Sequence, residues 1–499
     1  MQPWPRFPVV YEINAWVWLQ ELSRAAGRPV SFATVPQGEL DRIADHGFDG
    51  VWLMGVWRRS AGGRRVAREH PGLQEEFRHA LPDYGPDDVV GSPYCVADYT
   101  VDETLGGDAG LADLRLRLAR LGLRLMLDFV PNHLAVDHHW VEAHPDRLVH
   151  SGAHAAAAEP GNWFVPGGRE GGGPRAFAHG RDPCFSGWTD TVQIDYRRPA
   201  ARRAMSEILL SIAERCDGAR CDMAMLVTRE VFGRTWGGEF EPPRAEFWPA
   251  AITDLRARHP RFITLAEVYW DMEWELQQQG FDYTYDKRLY DRLLAGDAAA
   301  VRSHLVADMG FQSRLARFVE NHDERRAAEA FGLERSRAAA VLALTLPGFR
   351  LVHEGKLDGH RVKLPVQLGR RPVEEPVPGL ADFYRRLLAA VSHPVFHDGQ
   401  WRLVDPREGR PGDGSYHHVV AHRWQQGDDV RLVVVNLSSE PARCRLPFDD
   451  DGVAGRGWRF RDLLGGAEWS QGGDELAQAG LLLELQGYGH HVFDVRPAS

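Results

Sequence analysis

"DGARCDMAM", residues 217–225, sets two charged side chains, Arg220 and Asp222, in a short apolar run that otherwise reads as a buried strand. Side chains alternate between the faces of a strand, so Arg220 and Asp222 share one face. An arginine beside a carboxylate favours the ionised form and lowers its pKa, which suits a carboxylate that attacks rather than one that donates a proton. A strand-end ion pair with a purely structural role is the alternative for this fragment taken alone.

Seven further apolar runs surround it. They are "FPVVYEINAW" at 7–16, "FDGVWLMGVW" at 48–57, "LRLMLDFV" at 123–130, "RFITLAEVYW" at 261–270, "FDYTYDK" at 281–287, "RLARFVENHD" at 314–323 and "FRLVHEG" at 349–355. Between them lie helical stripes such as Leu111, Leu114, Leu118 and Leu121, or Met205, Ile208, Leu209 and Ile212 just after Pro199, a good first helical position. Eight strands alternating with helices predict an α/β fold, a (β/α)8 TIM barrel, whose chemistry belongs at the C-terminal strand ends. Charge gathers at those ends: Asp128 to His133, Arg220 with Asp222, Glu267, and His322 with Asp323.

Residues 134–195 break the rhythm with a Gly-, His- and Pro-rich stretch far longer than an ordinary strand-to-helix connection. They read as a loop-rich subdomain inserted after strand three that covers the barrel mouth, with a disordered loop as the alternative for 166–174. Beyond about residue 390 the helical pattern stops. "YHHVVAHRWQQGDDVRLVVVNLSS" at 416–439 predicts a hairpin turning at "QQGDD", and "HHVFDV" at 490–495 a late strand. The expected organisation is a barrel over 1–133 and 196–390, an insertion over 134–195, and an antiparallel β-sandwich over 391–499.

A net charge of −11 with no basic block argues against nucleic acid and anionic membranes as partners. Neither a signal-peptide pattern nor a membrane span is evident, so a cytoplasmic protein is expected. Five scattered cysteines without a CxxC pair predict reduced thiols, with neither a disulfide framework nor a zinc site.

"DFVPNH" at 128–133, "GARCD" at 218–222, the Glu of "LAEVYW" at 267 and "FVENHD" at 318–323 together resemble the α-amylase family, glycoside hydrolase family 13, in the family's order. The resemblance implies Asp222 as nucleophile with Arg220 orienting it, Glu267 as general acid and base, and Asp323 as stabiliser of the distorted ring. It implies that His133 and His322 hydrogen-bond the reacting sugar and that Tyr94 stacks on it, while Asp128 braces the arginine. Such a pair needs one ionised and one protonated carboxylate about 5–5.5 Å apart. Asp222 has its arginine, whereas the Glu267 motif carries no cation, so neighbouring negative charge is expected to keep Glu267 protonated.

Three departures from the family qualify this. Cys95 stands where Asp is common. Met225 and Leu226 stand where many endo-acting members have Lys-His for sugars beyond the cleavage point, which predicts a short, apolar leaving side, with barrel core as the alternative and the preferred place for Leu226. Asn132 matches a position that often binds calcium, but no complete ligand set is legible, so neither metal nor cofactor is expected. The resulting expectation is a retaining glycoside hydrolase of α-glucosidic bonds whose partners are short α-glucans or oligosaccharides. A transglycosylase using the same intermediate is the near alternative, and a non-catalytic transporter-associated relative the distant one.

Overall fold

The computed structural model describes residues 3–167, 175–237, 245–448 and 452–498. All eight expected strands form one closed parallel barrel: β1 (Val9–Asn14), β2 (Gly50–Met54), β3 (Arg124–Phe129), β4 (Gly218–Cys221), β5 (Ile263–Ala266), β6 (Tyr283–Tyr285), β7 (Leu315–Arg317) and β8 (Phe349–His353). Each pairs with its sequence neighbours, and β1 closes the ring against β8. The strands are buried almost throughout, as parallel strands covered by helices must be.

The helical stripes behave as their spacing predicts. Leu111, Leu114 and Leu118 are buried on the helix Gly107–Arg120, with Leu121 just past its end. Met205, Leu209 and Ile212 are buried on Pro199–Arg215, which begins at its proline.

Among the described residues, long connections follow β2, β3 and β8 at the carboxyl rim. The segment after β2 carries two helices, Ala61–Glu69 and Pro71–Ala80, between the antiparallel strands Trp57–Arg59 and Val96–Val101; nothing in the sequence reading anticipated it. The expected excursion after β3 is built from short strands rather than from loop alone. His133–Ala135 pairs antiparallel with Thr191–Gln193, and Arg175–Ala178 lies between His150–Gly152 and Trp163–Phe164. Of the 166–174 stretch, 168–174 lie outside the described residues. After β8, residues 354–379 cross the rim without a helix or strand.

The C-terminal region packs two antiparallel sheets, one of six strands and one of three, around a shared apolar core. Its centre is the expected hairpin, Val419–Gln426 with Asp429–Asn436, and His490–Pro497 adds alongside. Gly427, at φ 58°, supplies the left-handed turn. Alternation divides the hairpin's duties: Leu432 and Val434 face the core shared by the two sheets, whereas Val433, Val435 and Trp424 join the barrel core. Trp424 Nε1 donates to Thr345 O at 2.7 Å, fastening the sheet to the barrel. Short helices at Val395–Asp398 and Gly473–Ala479 and a 3-10 helix at Gly414–His418 accompany the strands.

The described cysteines are all free thiols, and no described helix is long and apolar enough to cross a membrane.

Candidate active site

Parallel strands bring all eight carboxyl ends to one rim, and there the charged residues converge. Asp222 and Glu267 each sit one step beyond their strands. The Asp222 N–H donates to Phe129 O at 2.9 Å and the Glu267 N–H to Cys221 O at 3.0 Å, so the barrel ladder itself holds both backbones. Between them Arg220 is fully buried. Its Nη1 donates to Asp222 Oδ1 at 2.8 Å, and its Nη2 lies 2.7 Å from Glu267 Oε2. Asp323 and Asp128 are 3.8 and 3.9 Å away, and the rings of Tyr94, Trp52 and Tyr285 surround the guanidinium at 5.1, 5.5 and 5.8 Å.

This corrects two expectations. Glu267 does have a cation: the arginine is shared, because its planar fork offers donors in two directions. The Asp222 carboxyl is held above the usual carboxylate range, up to about 7, rather than below it. Burial is the main cause and Arg220 opposes it, while the Glu267 charge adds to the rise.

Glu267 has further partners. Met223 N–H donates to Oε2 at 2.7 Å and Tyr269 Oη to Oε1 at 2.9 Å. Oε2 is thus committed to accepting from nitrogen, and only Oε1, beside a hydroxyl that can also accept, has room for a proton. Met223 makes its contact from a left-handed backbone, φ 40° and ψ 48°, unusual for a residue with a side chain.

Asp323 is part-exposed, with 41% of its side chain accessible. Burial raises its pKa, but His322, Arg220 and Lys363 outweigh that and hold it well below the usual range. His322 Nε2 lies 3.0 Å from Asp323 Oδ2 and 2.6 Å from Tyr94 Oη, and its Nδ1 lies 2.5 Å from Glu12 Oε1. Desolvation lowers the imidazole pKa, but Asp323 and Glu12 raise it further, to about 10. His133, by contrast, is pushed down to about 4 by burial and is neutral. Its ring lies 5.1 Å from that of Trp188. Asp128 accepts from Gly55 N–H at 3.1 Å, and burial raises it to about 6.

Tyr94, His133, Asp222, Glu267 and Asp323 line one cavity of about 340 Å³. Arg220 and His322 stand behind its wall, each committed to the carboxylates and ring that do line it. Met225 and Leu226 do not reach it at all. The chain turns into a 3-10 helix after Met223 and buries both in the core, so the leaving side inferred from them is not theirs to form. Met223, Tyr269, Trp188, Asp190 and Gln367 line the cavity instead.

The sequence reading also missed Glu12, whose signal was a carboxylate inside the apolar strand "VVYEIN". Cys95 stays out of the cavity, its Sγ donating to Asp190 O at 2.9 Å.

At Asn132 the oxygens do not fit a cation. Gln193 Nε2 already sits among Asn132 O, Asn132 Oδ1 and Ile194 O, at 2.9, 3.1 and 3.1 Å. Among the described residues, no three His, Cys, Asp or Glu side chains converge as metal ligands.

Comparison with known proteins agrees with this architecture. Alpha-amylase MalA of Haloarcula japonica is 26% identical over 484 residues, covering 94% of this chain, which spans 60% of MalA's length. The maltogenic alpha-amylase AmyB of Thermotoga neapolitana superposes with a TM-score of 0.69 at 19% identity, covering 99% of both chains. Trehalose-6-phosphate hydrolase of Bacillus licheniformis does so at 0.65 and 15% identity, covering 99% of this chain and 100% of that one. The family description "Alpha amylase, catalytic domain" matches residues 37–455, and the chain therefore belongs to the alpha-amylase family.

Proposed function

We propose that the protein is a retaining glycoside hydrolase acting on α-glucosidic bonds of short α-glucans or oligosaccharides. The observation that carries this reading is the sharing of one buried guanidinium by Asp222 and Glu267 at the cavity wall. A shared arginine keeps the two carboxylates close, which favours the separation of about 5–5.5 Å that double displacement uses over the 6.5–9.5 Å or so of single displacement.

Asp222 attacks the anomeric carbon as the bond to the leaving oxygen breaks. Glu267, protonated on Oε1, gives that oxygen its proton. The resulting glycosyl ester on Asp222 is released when Glu267, now a carboxylate, takes a proton from water that attacks the same carbon. Asp323 accepts from hydroxyls of the distorted ring, and His133 offers it a neutral imidazole. Tyr94 packs its face on the ring and is held by His322. Arg220 and His322 act as positioning residues.

The cavity is at the small end of ligand sites, which run from about 300 to 1,000 Å³, and favours few sugar rings. Its described lining holds Asp190, Asp222, Glu267 and Asp323 and no Lys or Arg, which favours neutral over phosphorylated sugars.

Incubation with maltooligosaccharides, trehalose, sucrose and isomaltose, with and without phosphate, tests the reading. Products of the α-configuration should appear first, and kcat/KM on short oligosaccharides should match or exceed that on starch. Oligosaccharides longer than the substrate would identify transfer to an acceptor sugar, and rapid internal cleavage of amylose would restore an endo-amylase.

A further inference from the structure

Arg370, in the connection after β8, forks onto Asp88, in the connection after β2. Nε donates to Oδ1 and Nη2 to Oδ2, both at 2.9 Å, and Nη1 reaches Asp83 at 3.3 Å. Such a bidentate, charge-assisted pair is a strong and directional clasp. It ends a seam between the two connections. The Val90 N–H donates to Gln367 O and the Gly369 N–H to Asp88 O, each at 2.8 Å, and Val89 and Leu368 bridge between these bonds. Leu368 is fully buried in an apolar cluster with Ala67, Phe77, Leu81 and Val89, separate from the barrel core.

The post-β8 connection is pinned on its other sides as well. Arg371 forks onto Glu21, on the helix Ala15–Ala26 after β1, at 2.7 and 2.6 Å. Buried Arg59 donates to Gly91 O and to Val366 O, one on each side of the seam. Lys363 Nζ donates to Asp323 O, so the connection passes directly against a residue of the site. Ser92 and Gln367, from the two sides of the seam, line the same cavity as Tyr94 and Asp323.

Barrel topology fixes which end of a substrate meets this wall. In the closed ring of eight strands, β4 and β5 lie across from β8 and β1. Glu267, one step beyond β5, must face the leaving oxygen on C1 of the reacting ring. O4, through which an α-glucan continues toward its non-reducing end, lies across the pyranose from C1. It therefore points to the side of β8, β1 and β2, which is the side the seam closes.

We propose that the seam makes the donor side of the cavity a blind pocket for one terminal glucosyl ring, so that the enzyme acts only at non-reducing chain ends. The proposal deepens the glycosidase reading above and rests on it. Arg370 and Leu368, neither of which lines the cavity, set this specificity through the wall they hold.

The test uses maltoheptaose labelled at its reducing end, and an aryl α-maltoheptaoside whose terminal ring is either free or capped by an acetal across O4 and O6. Wild-type protein should first give glucose and labelled maltohexaose, and its kcat/KM on the capped glycoside should be at least about a hundredfold below that on the free one. Comparable rates on the two, or labelled products shorter than maltohexaose at the outset, would overturn the blind pocket. This comparison needs no variant. The double variant L368A/R370A should raise the capped-to-free ratio about tenfold or more while holding turnover of an aryl α-glucoside within about threefold. An unchanged ratio in a variant that keeps that turnover would overturn the seam as the closing element. Wild-type protein inert to the aryl α-glucoside and to maltoheptaose alike would instead remove the glycosidase reading, and the pocket with it.

Discussion

Nη2 of Arg220 lies 2.7 Å from Oε2 of Glu267, so the arginine that the sequence pairs with Asp222 holds the second carboxylate as well. A lysine ammonium is a compact point charge and cannot meet both partners with the geometry of a fork. R220K is expected to lower kcat/KM on an aryl α-glucoside by about a hundredfold or more. R220M should do the same and also lower stability by about 3–5 kcal/mol, because it strands buried charge. Kinetics with calorimetric melting would separate the two effects, and near-wild-type turnover by R220K would show that the sharing is unimportant.

The two carboxylates should fail differently. D222N removes the nucleophile and is expected to cut turnover by about four orders of magnitude or more on every substrate. E267Q should keep measurable activity on α-glucosyl fluoride, which departs without protonation, and lose it on maltose. A contamination-controlled assay in which D222N turns over normally would reassign the nucleophile.

The His322 link gives stability a pH dependence. Its folded pKa, about 10, lies above the ordinary imidazole value near 6.5. The proton is therefore held more tightly in the folded state. Its contribution is fully present below about pH 6.5 and is lost as pH rises through about 10. Between those values the melting temperature of the wild type should fall more steeply than that of H322Q, which has no such proton to lose. Parallel curves would mean that the Glu12, His322 and Asp323 chain does not carry this charge.

Exhaustive chelation is expected to leave both activity and melting temperature nearly unchanged, since the Gln193 amide fills the oxygen cluster at Asn132. Q193E offers a sharper check. A carboxylate among those oxygens should lower the melting temperature in chelator and recover part of it with added calcium. Wild-type protein that loses stability on chelation and regains it with calcium would place a cation site elsewhere.

The barrel was legible because each strand is a short apolar run and because charge sits at its carboxyl end, where an apolar pattern stops. The motif residues Asp222, Glu267 and Asp323 were legible for the same reason. Cross-strand partners were not. The reach of Arg220 to Glu267 depends on the direction of a side chain between neighbouring strands, and the Tyr269 and Met223 contacts depend on turns that follow them. Met225 misled because a position in a motif was read as a position in space, and the left-handed residue before it sends it into the core beside Leu226, for which core packing was the preferred reading. The two helices after β2 were hidden inside a stretch that carried no strand signal of its own.

Met223 joins the two halves of the chemistry through its backbone alone: it follows Asp222 in the chain and gives its N–H to Glu267, from a conformation that glycine would adopt at less cost. M223G should relax the backbone yet lose a side chain on the cavity wall and loosen the coupling between the carboxylates. Relief of backbone strain and loss of the side chain's packing oppose each other here, so heat resistance does not report on this coupling, and any stabilisation campaign needs an activity screen at every round.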